Sequence, residues 1–189
     1  MNHETTDLMK LINNANFKHS HQVSKISGIM AEKAGLSAFE REIVTQAAMY
    51  HDVGKTIIPP AILNKPAGLT PAEFAIVKTH TEEGYKQILE AIQTLTIAAF
   101  IARDHHERQD GCGYSLMSGD DIHPYAKLVA VADVFDALYS RRAYKEPWSI
   151  EKIKGYFNEQ SGKQFDEDMV SLLFSVLEEV LALYKNEEG

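Results

Sequence analysis

The sequence predicts an all-α fold, and three observations carry that expectation. Apolar residues recur at steps of three and four along most of the chain, the spacing that gathers them on one helical face. No alternating apolar–polar run is long enough to convince as a strand. Helix-start signatures recur as well. Ser37 with Glu40, and Thr70 with Glu73, have capping-box spacing, in which two side chains satisfy two orphan backbone N–H groups reciprocally. Roughly six to eight helices and two long loops follow from these signals.

In chain order, the first helix is expected around Val23, Ile26, Met30 and Ala34, and the second around Ile43, Ala47 and Ala48. Pro71 opens a further helix, because its fixed φ suits the first helical position and its missing N–H costs nothing there. Ile97, Ile101 and Ala102 mark the next, and Val129, Ala132, Val134 and Leu138 the one after that. Asp166 is placed to cap a last helix running through Met169, Leu172, Leu173, Val176 and Val180, within 165–184. Two segments read as irregular. Thr56–Gly68 carries Pro59, Pro60 and Pro66; Glu107–Pro124 carries Gly111, Gly113, Gly119 and the Asp120-Asp121 pair. Long loops in a compact helical domain are commonly functional.

Composition narrows the function classes. The chain has 189 residues, with 27 acidic and 19 basic side chains and a net charge of −8. That surplus argues against a nucleic-acid polymer as the main partner. It still allows an anionic substrate, since a local group of cations can reverse the sign inside one cleft. The longest uncharged run, Ala91–Ala102, is 12 residues long and contains Gln93, Thr94 and Thr96. It is too short and too polar to span a bilayer, so no membrane association is expected. No basic and apolar leader opens the chain, and the single Cys112 excludes an internal disulfide. A cytoplasmic protein is expected. No linker or repeat divides it, so residues 1–189 read as one domain: 1–17 an N-terminal arm or helix, 18–148 the core of the site, 149–189 C-terminal helices. No receiver, cyclase or sensor domain is expected, as fewer than 20 residues precede His19. Control would come from another protein or from oligomerisation, a homodimer being one option.

The chemistry lies in ionisable residues on apolar stripes. His19 precedes Val23, Ile26 and Met30 by helical steps, and His51 follows Ile43 and Ala47. His80 sits three after Val77, His105 four after Ile101, and His106 four after Ala102. Asp133 stands inside Leu128-Val-Ala-Val-Ala-Asp-Val-Phe, and Asp52 directly follows His51. Any one of these histidines could be a core imidazole bonded to a carbonyl. Five histidines and two aspartates from five segments are harder to explain, because a buried carboxylate without a partner costs several kcal/mol. Cations would cancel the cost. Imidazole with carboxylate suits Fe, Mn, Zn or Ni and not a thiolate-rich structural zinc site. Seven ligands exceed one ion's usual number, so two ions bridged by one carboxylate is the natural count. Such a pair, about 3.5–4 Å apart, serves in-line displacement at phosphorus.

The pattern His19…His51-Asp52…His80…His105-His106…Asp133 resembles the HD superfamily of metal phosphohydrolases. Longer strings narrow it. His51-Asp-Val-Gly-Lys55, Ile58-Pro59…Ile62-Leu63-Asn-Lys65-Pro66-Ala-Gly68-Leu69-Thr70, His105-His-Glu-Arg-Gln-Asp-Gly-Cys-Gly-Tyr114 and Ala132-Asp-Val-Phe-Asp136-Ala-Leu138 resemble the HD-GYP subfamily over about Lys18–Trp148. The resemblance implies an HD-domain helical bundle and a bacterial phosphodiesterase that cuts cyclic di-GMP to pGpG and often on to GMP. It implies that His19, His51, Asp52 and Asp133 hold one metal and that His80, His105 and His106 hold the second. Asp52 would bridge the two, and iron or manganese would be the usual occupant. By the same resemblance Lys55 would contact the scissile phosphate, Tyr114 would lie in the signature loop near the substrate, and Asp136, Arg142 and Lys145 would bind guanine or phosphate. The physics is compatible: hydroxide between two cations is a nucleophile at neutral pH, and Lys55 can neutralise charge growing on phosphoryl oxygens. Asp136, three after Asp133, could share its helical face.

Departures from the pattern point at substrate choice more than at metal binding. The signature Gly-Tyr-Pro is Gly113-Tyr114-Ser115 here, which should loosen the loop. Gln22 and Gln109 stand where the family prefers arginine and tryptophan, and Ala15 stands where some members have a glutamate for a third metal. Other readings are 3′,3′-cyclic GMP-AMP, pGpG or another nucleotide as substrate, a module that binds a partner such as a diguanylate cyclase through Glu107–Pro124, and a di-iron oxygenase on the same scaffold. Arg108 and Asp110 read as an ion pair shaping that loop, Cys112 as a small loop residue, and His3, His21 and His123 as surface or turn residues.

Overall fold

The computed structural model describes residues 14–91, 95–140 and 146–185, with side chains from Phe17 onward. Arg142 and Lys145, expected to contact the substrate, lie outside the described residues, as do His3 and the Ala15 side chain. Helices run as α1 (Asn14–Lys33), α2 (Ala38–Ala48), α3 (Pro60–Leu63), α4 (Pro71–Lys78), α5 (His80–Ala91), α6 (Thr96–Asp104), α7 (Pro124–Tyr139), α8 (Ile150–Gln160), α9 (Glu167–Ser175) and α10 (Leu177–Lys185). Short 3₁₀ turns occupy Val53–Ile57 and Gly119–Asp121. No strand occurs among the described residues, so the all-α class holds.

The start signals act as their chemistry requires. Ser37 and Thr70 each accept the N–H three residues on, while Glu40 and Glu73 reach back to the cap N–H. Asp166 caps α9 by accepting from Asp168 and Met169 N–H. Two details differ from the expectation. The first proline-rich segment is not wholly irregular, because Pro60 at a helical first position starts the single turn α3. The final helix is two. At Val176 (φ −116°, ψ 11°) the ladder tightens to a bond from Val176 N–H to Leu173 O at 3.2 Å, then resumes from Val180 N–H to Val176 O. A β-branched residue leaves the helical basin readily, and Leu173, Val176, Leu177 and Val180 stay buried across the break.

One apolar cluster runs from Val23 on α1 to Val180 on α10. α7 lies at its centre, with Leu128, Val129, Val131, Ala132, Phe135 and Leu138 all buried. A helix apolar nearly all round needs neighbours on every side. α1, α6, α8 and α9 supply them, while α2 packs on α1 and α6, and α5 on α6. Each fully buried side chain such as Ile26 or Phe135 contributes about 1.5–3 kcal/mol. Against that framework the charged residues Asp52, Asp104, Glu107, Asp133 and Asp136 are also buried, and their partners define the site.

Candidate metal centre

Three helices end at one place. α2 stops at Ala48, and the chain tightens through bonds from Tyr50 N–H to Ala47 O (3.0 Å) and His51 N–H to Ala48 O (3.4 Å). His51 therefore lies just past the helix and not within it, contrary to the stripe argument, and it is fully buried. Asp52 precedes the 3₁₀ turn that brings Lys55 back over it, with Lys55 Nζ 2.5 Å from Asp52 Oδ2. α4 ends at Lys78, with Thr79 alone between it and His80, which opens α5, and α6 ends with His105 as its cap residue and His106 beyond. Gly54 permits the convergence. A Cβ there would stand 1.9 Å from the His80 carbonyl oxygen, so only glycine lets the turn and α5 approach this closely.

The helix ends also set the tautomers. A carbonyl only accepts, so each facing Nδ1 carries the proton. His51 Nδ1–H donates to Ala48 O (2.8 Å), His80 Nδ1–H to Val77 O (2.7 Å), and His105 Nδ1–H to Ile101 O and Ala102 O (3.1 and 3.0 Å). These are last-turn carbonyls, and each has a lone pair free to accept a side-chain donor. Each ring consequently presents a bare Nε2 inward. His80 Nε2 and His105 Nε2 face each other at 3.5 Å and lie 3.4 and 3.7 Å from Asp52 Oδ1. His51 Nε2 is 3.4 Å from Asp52 Oδ2. Lone pairs facing lone pairs and a carboxylate do not hydrogen-bond. His51 Nε2 and Asp52 Oδ1 are indeed buried without a hydrogen-bond partner. Electron-rich, buried, unpartnered nitrogen and oxygen atoms fit a divalent cation of intermediate softness.

Around these atoms the seven expected residues form two groups, each with ligand atoms within 4.8 Å of one another: His19, His51 and Asp133, and Asp52, His80, His105 and His106. The two touch where His51 meets Asp52. His19 is held differently from the others. It sits inside α1, where carbonyls are spent on the helix ladder. Its Nε2 is 3.0 Å from Asp133 Oδ1, and its Nδ1 is 2.6 Å from Asp136 Oδ2. Asp136, expected at the substrate, is only 2% exposed and lies beneath His19. Its other oxygen accepts from Ser140 Oγ (2.6 Å) and Tyr184 Oη (2.7 Å). Its contacts point to orienting an imidazole, and no signal in the sequence paired residues so far apart.

Protonation follows these environments. Burial pushes His80 down to about 4, only partly countered by Asp52. Burial and the neighbouring His105 hold His106 well below the usual imidazole range. Burial opposes charge on His19 too, but hydrogen bonds to Asp133 and Asp136 prevail and raise it to about 9. For Asp52 burial favours the neutral acid, yet the Lys55 charge together with the His51 and His105 imidazoles outweighs it and holds the carboxyl well below its usual range. Asp133 is likewise driven low by His19 against its own burial.

The loop after α6 closes over one edge of the centre. Glu107, 4% exposed, accepts Ser115 N–H (2.7 Å) and Met117 N–H (3.1 Å). Two donors aimed at one carboxylate require the chain to turn between them, and Leu116 does so in the left-handed region (φ 62°). Gly113 lets the loop lie against Glu107, whose Cα would be 2.7 Å from an added Cβ. Ser115, standing where the family pattern has proline, supplies an N–H that proline lacks. Arg108 and Asp110 form the expected bidentate pair at 2.9 and 2.6 Å, and Cys112 is exposed. His123 caps α7, accepting Tyr125 N–H, and His21 stacks on Phe17 at the surface. Tyr114 packs 4.6 Å from the His106 ring, and burial with the Asp52, Asp133 and Glu107 charges raises its phenol to about 12. Gln22 is buried, and neither atom of its amide finds a partner among the described residues.

Comparison with known proteins follows the same lines. Residues 5–169 match the model of the family described as HD domain. The chain is 43% identical over 155 residues to the cyclic di-GMP phosphodiesterase response regulator RpfG of Xanthomonas campestris pv. campestris (strain 8004), covering 80% of this chain and 41% of that one. It is 38% identical over 167 residues to 3′3′-cGAMP-specific phosphodiesterase 2 of Vibrio cholerae serotype O1, covering 87% and 32%. The chain therefore spans less than half the length of either relative. Its fold matches Bd1817, a HDG"Y"P protein from Bdellovibrio bacteriovorus, with a TM-score of 0.70 at 23% identity, over 86% of this chain and 52% of that one. Among the described residues no helix is long and apolar enough to cross a membrane.

Proposed function

This chain belongs to the HD domain family, and on that premise we propose that it is a two-metal phosphodiesterase that hydrolyses cyclic di-GMP to pGpG, with GMP the product of a second cut. His19, His51 and Asp133 would hold one ion and Asp52, His80, His105 and His106 the other, and Asp52, next to His51, would serve both. Iron or manganese suits this imidazole and carboxylate set. When bound, the ions supply an acidified water as nucleophile and neutralise charge on the phosphoryl oxygens.

The chain's own residues do the rest. The helix-end carbonyls hold three imidazoles with Nε2 inward, and Asp133 and Asp136 aim His19. Lys55, on the 3₁₀ turn beside Asp52, offers its ammonium to the phosphate that is cut. Tyr114, neutral at physiological pH, gives the cleft a rigid ring next to His106. Arg142 and Lys145 complete the set proposed for phosphate or guanine. A diguanylate cyclase partner or a second copy would act through the loop at 107–124, by limiting access to Tyr114. The reading places the enzyme in the cytoplasm, since a doubly anionic substrate does not cross a bilayer unaided.

One observation carries the proposal: a buried carboxylate, Asp52, whose free oxygen faces the bare Nε2 atoms of His80 and His105. Protein loaded anaerobically with Fe(II) or Mn(II) and given cyclic di-GMP should release pGpG, and metal analysis should return about two ions per chain. No cleavage with either metal would overturn the assignment. A second reading keeps the chemistry and changes the substrate to 3′,3′-cyclic GMP-AMP or another nucleotide. Gln109 and Ser115 motivate it, together with the 38% identity to a relative named as specific for that dinucleotide. The order of kcat/KM across a substrate panel decides between the two.

A further inference from the structure

The ring of Tyr114 touches more than His106. It also lies 6.2 Å from the His80 ring, and it meets α4. There Phe74 packs edge to face against it at 5.9 Å, and the Lys78 ammonium sits 5.1 Å from the Tyr114 centroid and 5.3 Å from that of Phe74. Phe74 nevertheless remains 42% exposed. Lys78 is half-buried and has no carboxylate partner among the described residues. The nearest acids in sequence are engaged elsewhere. Glu73 is held by Lys65 at 2.7 and 2.9 Å and by the Thr70 cap, while Glu82 and Glu83 lie 3.7 and 3.0 Å from Lys86. One cation without a counter-ion, two rings and a metal-type cluster thus adjoin in a single wall.

This combination suits a particular ligand chemistry. A cyclic dinucleotide brings two phosphates and two bases, and only one phosphate can lie at the reacting centre. The other half needs a flat apolar surface for a base and a cation for a phosphate. Stacking on aromatic side chains and backbone contact to basic ones is the general means of holding unpaired nucleotides. We propose that Phe74, Lys78 and Tyr114 form the subsite for the nucleotide half that is not being cut, with the base on the exposed Phe74 ring, which Tyr114 braces edge-on, and the second phosphate on Lys78. The inference rests on the phosphodiesterase reading and extends it to α4, which contributes none of the seven clustered residues.

Two substrates separate this role from a structural one. Bis(p-nitrophenyl) phosphate has a cleavable diester and neither a purine nor a second phosphate. In metal-loaded protein, Phe74→Ala and Lys78→Met should each raise KM for cyclic di-GMP about tenfold. kcat for that substrate, kcat/KM for bis(p-nitrophenyl) phosphate and metal content should stay within about twofold of the parent. Lys78→Arg should restore KM, and the Lys78→Met enzyme should lose part of the parent's dependence of KM on salt. An unchanged KM in both variants overturns the subsite. Equal losses on both substrates also overturn it, because they would mean that the rings only brace the loop. Failure of the underlying reading would show instead in the parent, as absence of cyclic dinucleotide cleavage.

Discussion

His51, His80 and His105 hang from helix ends, whereas His19 sits in the middle of a helix, and this difference governs how each is held. The three at helix ends donate to last-turn carbonyls, which have lone pairs to spare, and the partial negative charge of three C-termini favours a cation between them. Their orientation is written into the backbone, so no second side chain has to supply it. His19 has no free carbonyl to use. It borrows Asp136 from α7, and Asp136 in turn is fixed by Ser140 and by Tyr184 from α10. One half of the centre is therefore rigid by construction, and the other is tunable through side chains that never reach the cleft.

The largest expected effect comes from Asp52, the residue proposed to serve both groups of ligands. Asp52→Asn should lower phosphodiesterase activity on the order of 10³-fold, and metal analysis should show loss from both groups and not from one. Retention of two ions per chain would separate bridging from mere proximity. Next, Asp136→Ala should weaken metal retention or activity about 10–100-fold through His19 alone. Asp136→Asn should recover part of the loss, since its amide oxygen still accepts, and Tyr184→Phe should act in the same direction by a smaller factor. Identical values for Ala and Asn would break the distinction between the halves.

A third test reads both halves in one titration of metal-free, chelator-treated protein. His19 has a folded value near 9 against about 6.5 unfolded. Its stabilisation is complete below 6.5 and is lost as pH rises toward 9. His80, lowered to about 4, and His106, held well below the usual imidazole range, are neutral in the fold near neutral pH. The unfolded chain gains protons that they refuse as pH falls from 6.5 toward 4, so stability declines on that side too. Tm should peak near pH 6.5 and fall by several degrees on either flank. Asp136→Ala should flatten the alkaline flank and leave the acidic one. The smallest effect concerns the loop. Ser115→Pro removes the N–H that Glu107 accepts at 2.7 Å and should cost about 1–2 kcal/mol in urea unfolding with an unchanged m-value. A stability gain would show that proline's stiffness outweighs the lost bond.

Much of the centre was legible because its residue types are out of place. An imidazole or carboxylate on an apolar stripe must be satisfied inside, and seven of them could be picked out from His19 to Asp133 by spacing and family pattern together. Their exact positions on the helices were less legible. His51, at steps of four and eight from Ala47 and Ile43, looked helical, but the helix ends at Ala48. Periodicity does not register a tightened last turn. Gly54 carries no sequence signal for its role, because the His80 carbonyl that leaves no room for a Cβ comes from another segment. Ser115 read as a weakened loop, because an N–H has no sequence signal until its acceptor is known.

The amino-acid order alone determined most of the segments that become helices, where two of them begin through their capping boxes, and which ionisable groups must share an interior. Those properties depend on neighbours within a few residues or on the cost of burying charge. Tertiary packing alone decided that Asp136 serves His19, 117 positions away, that Tyr184 steadies Asp136, and that α4 brings Phe74 and Lys78 to Tyr114. Contacts between distant segments are set by how α1, α7 and α10 pack, and no local rule of propensity or spacing carries that information.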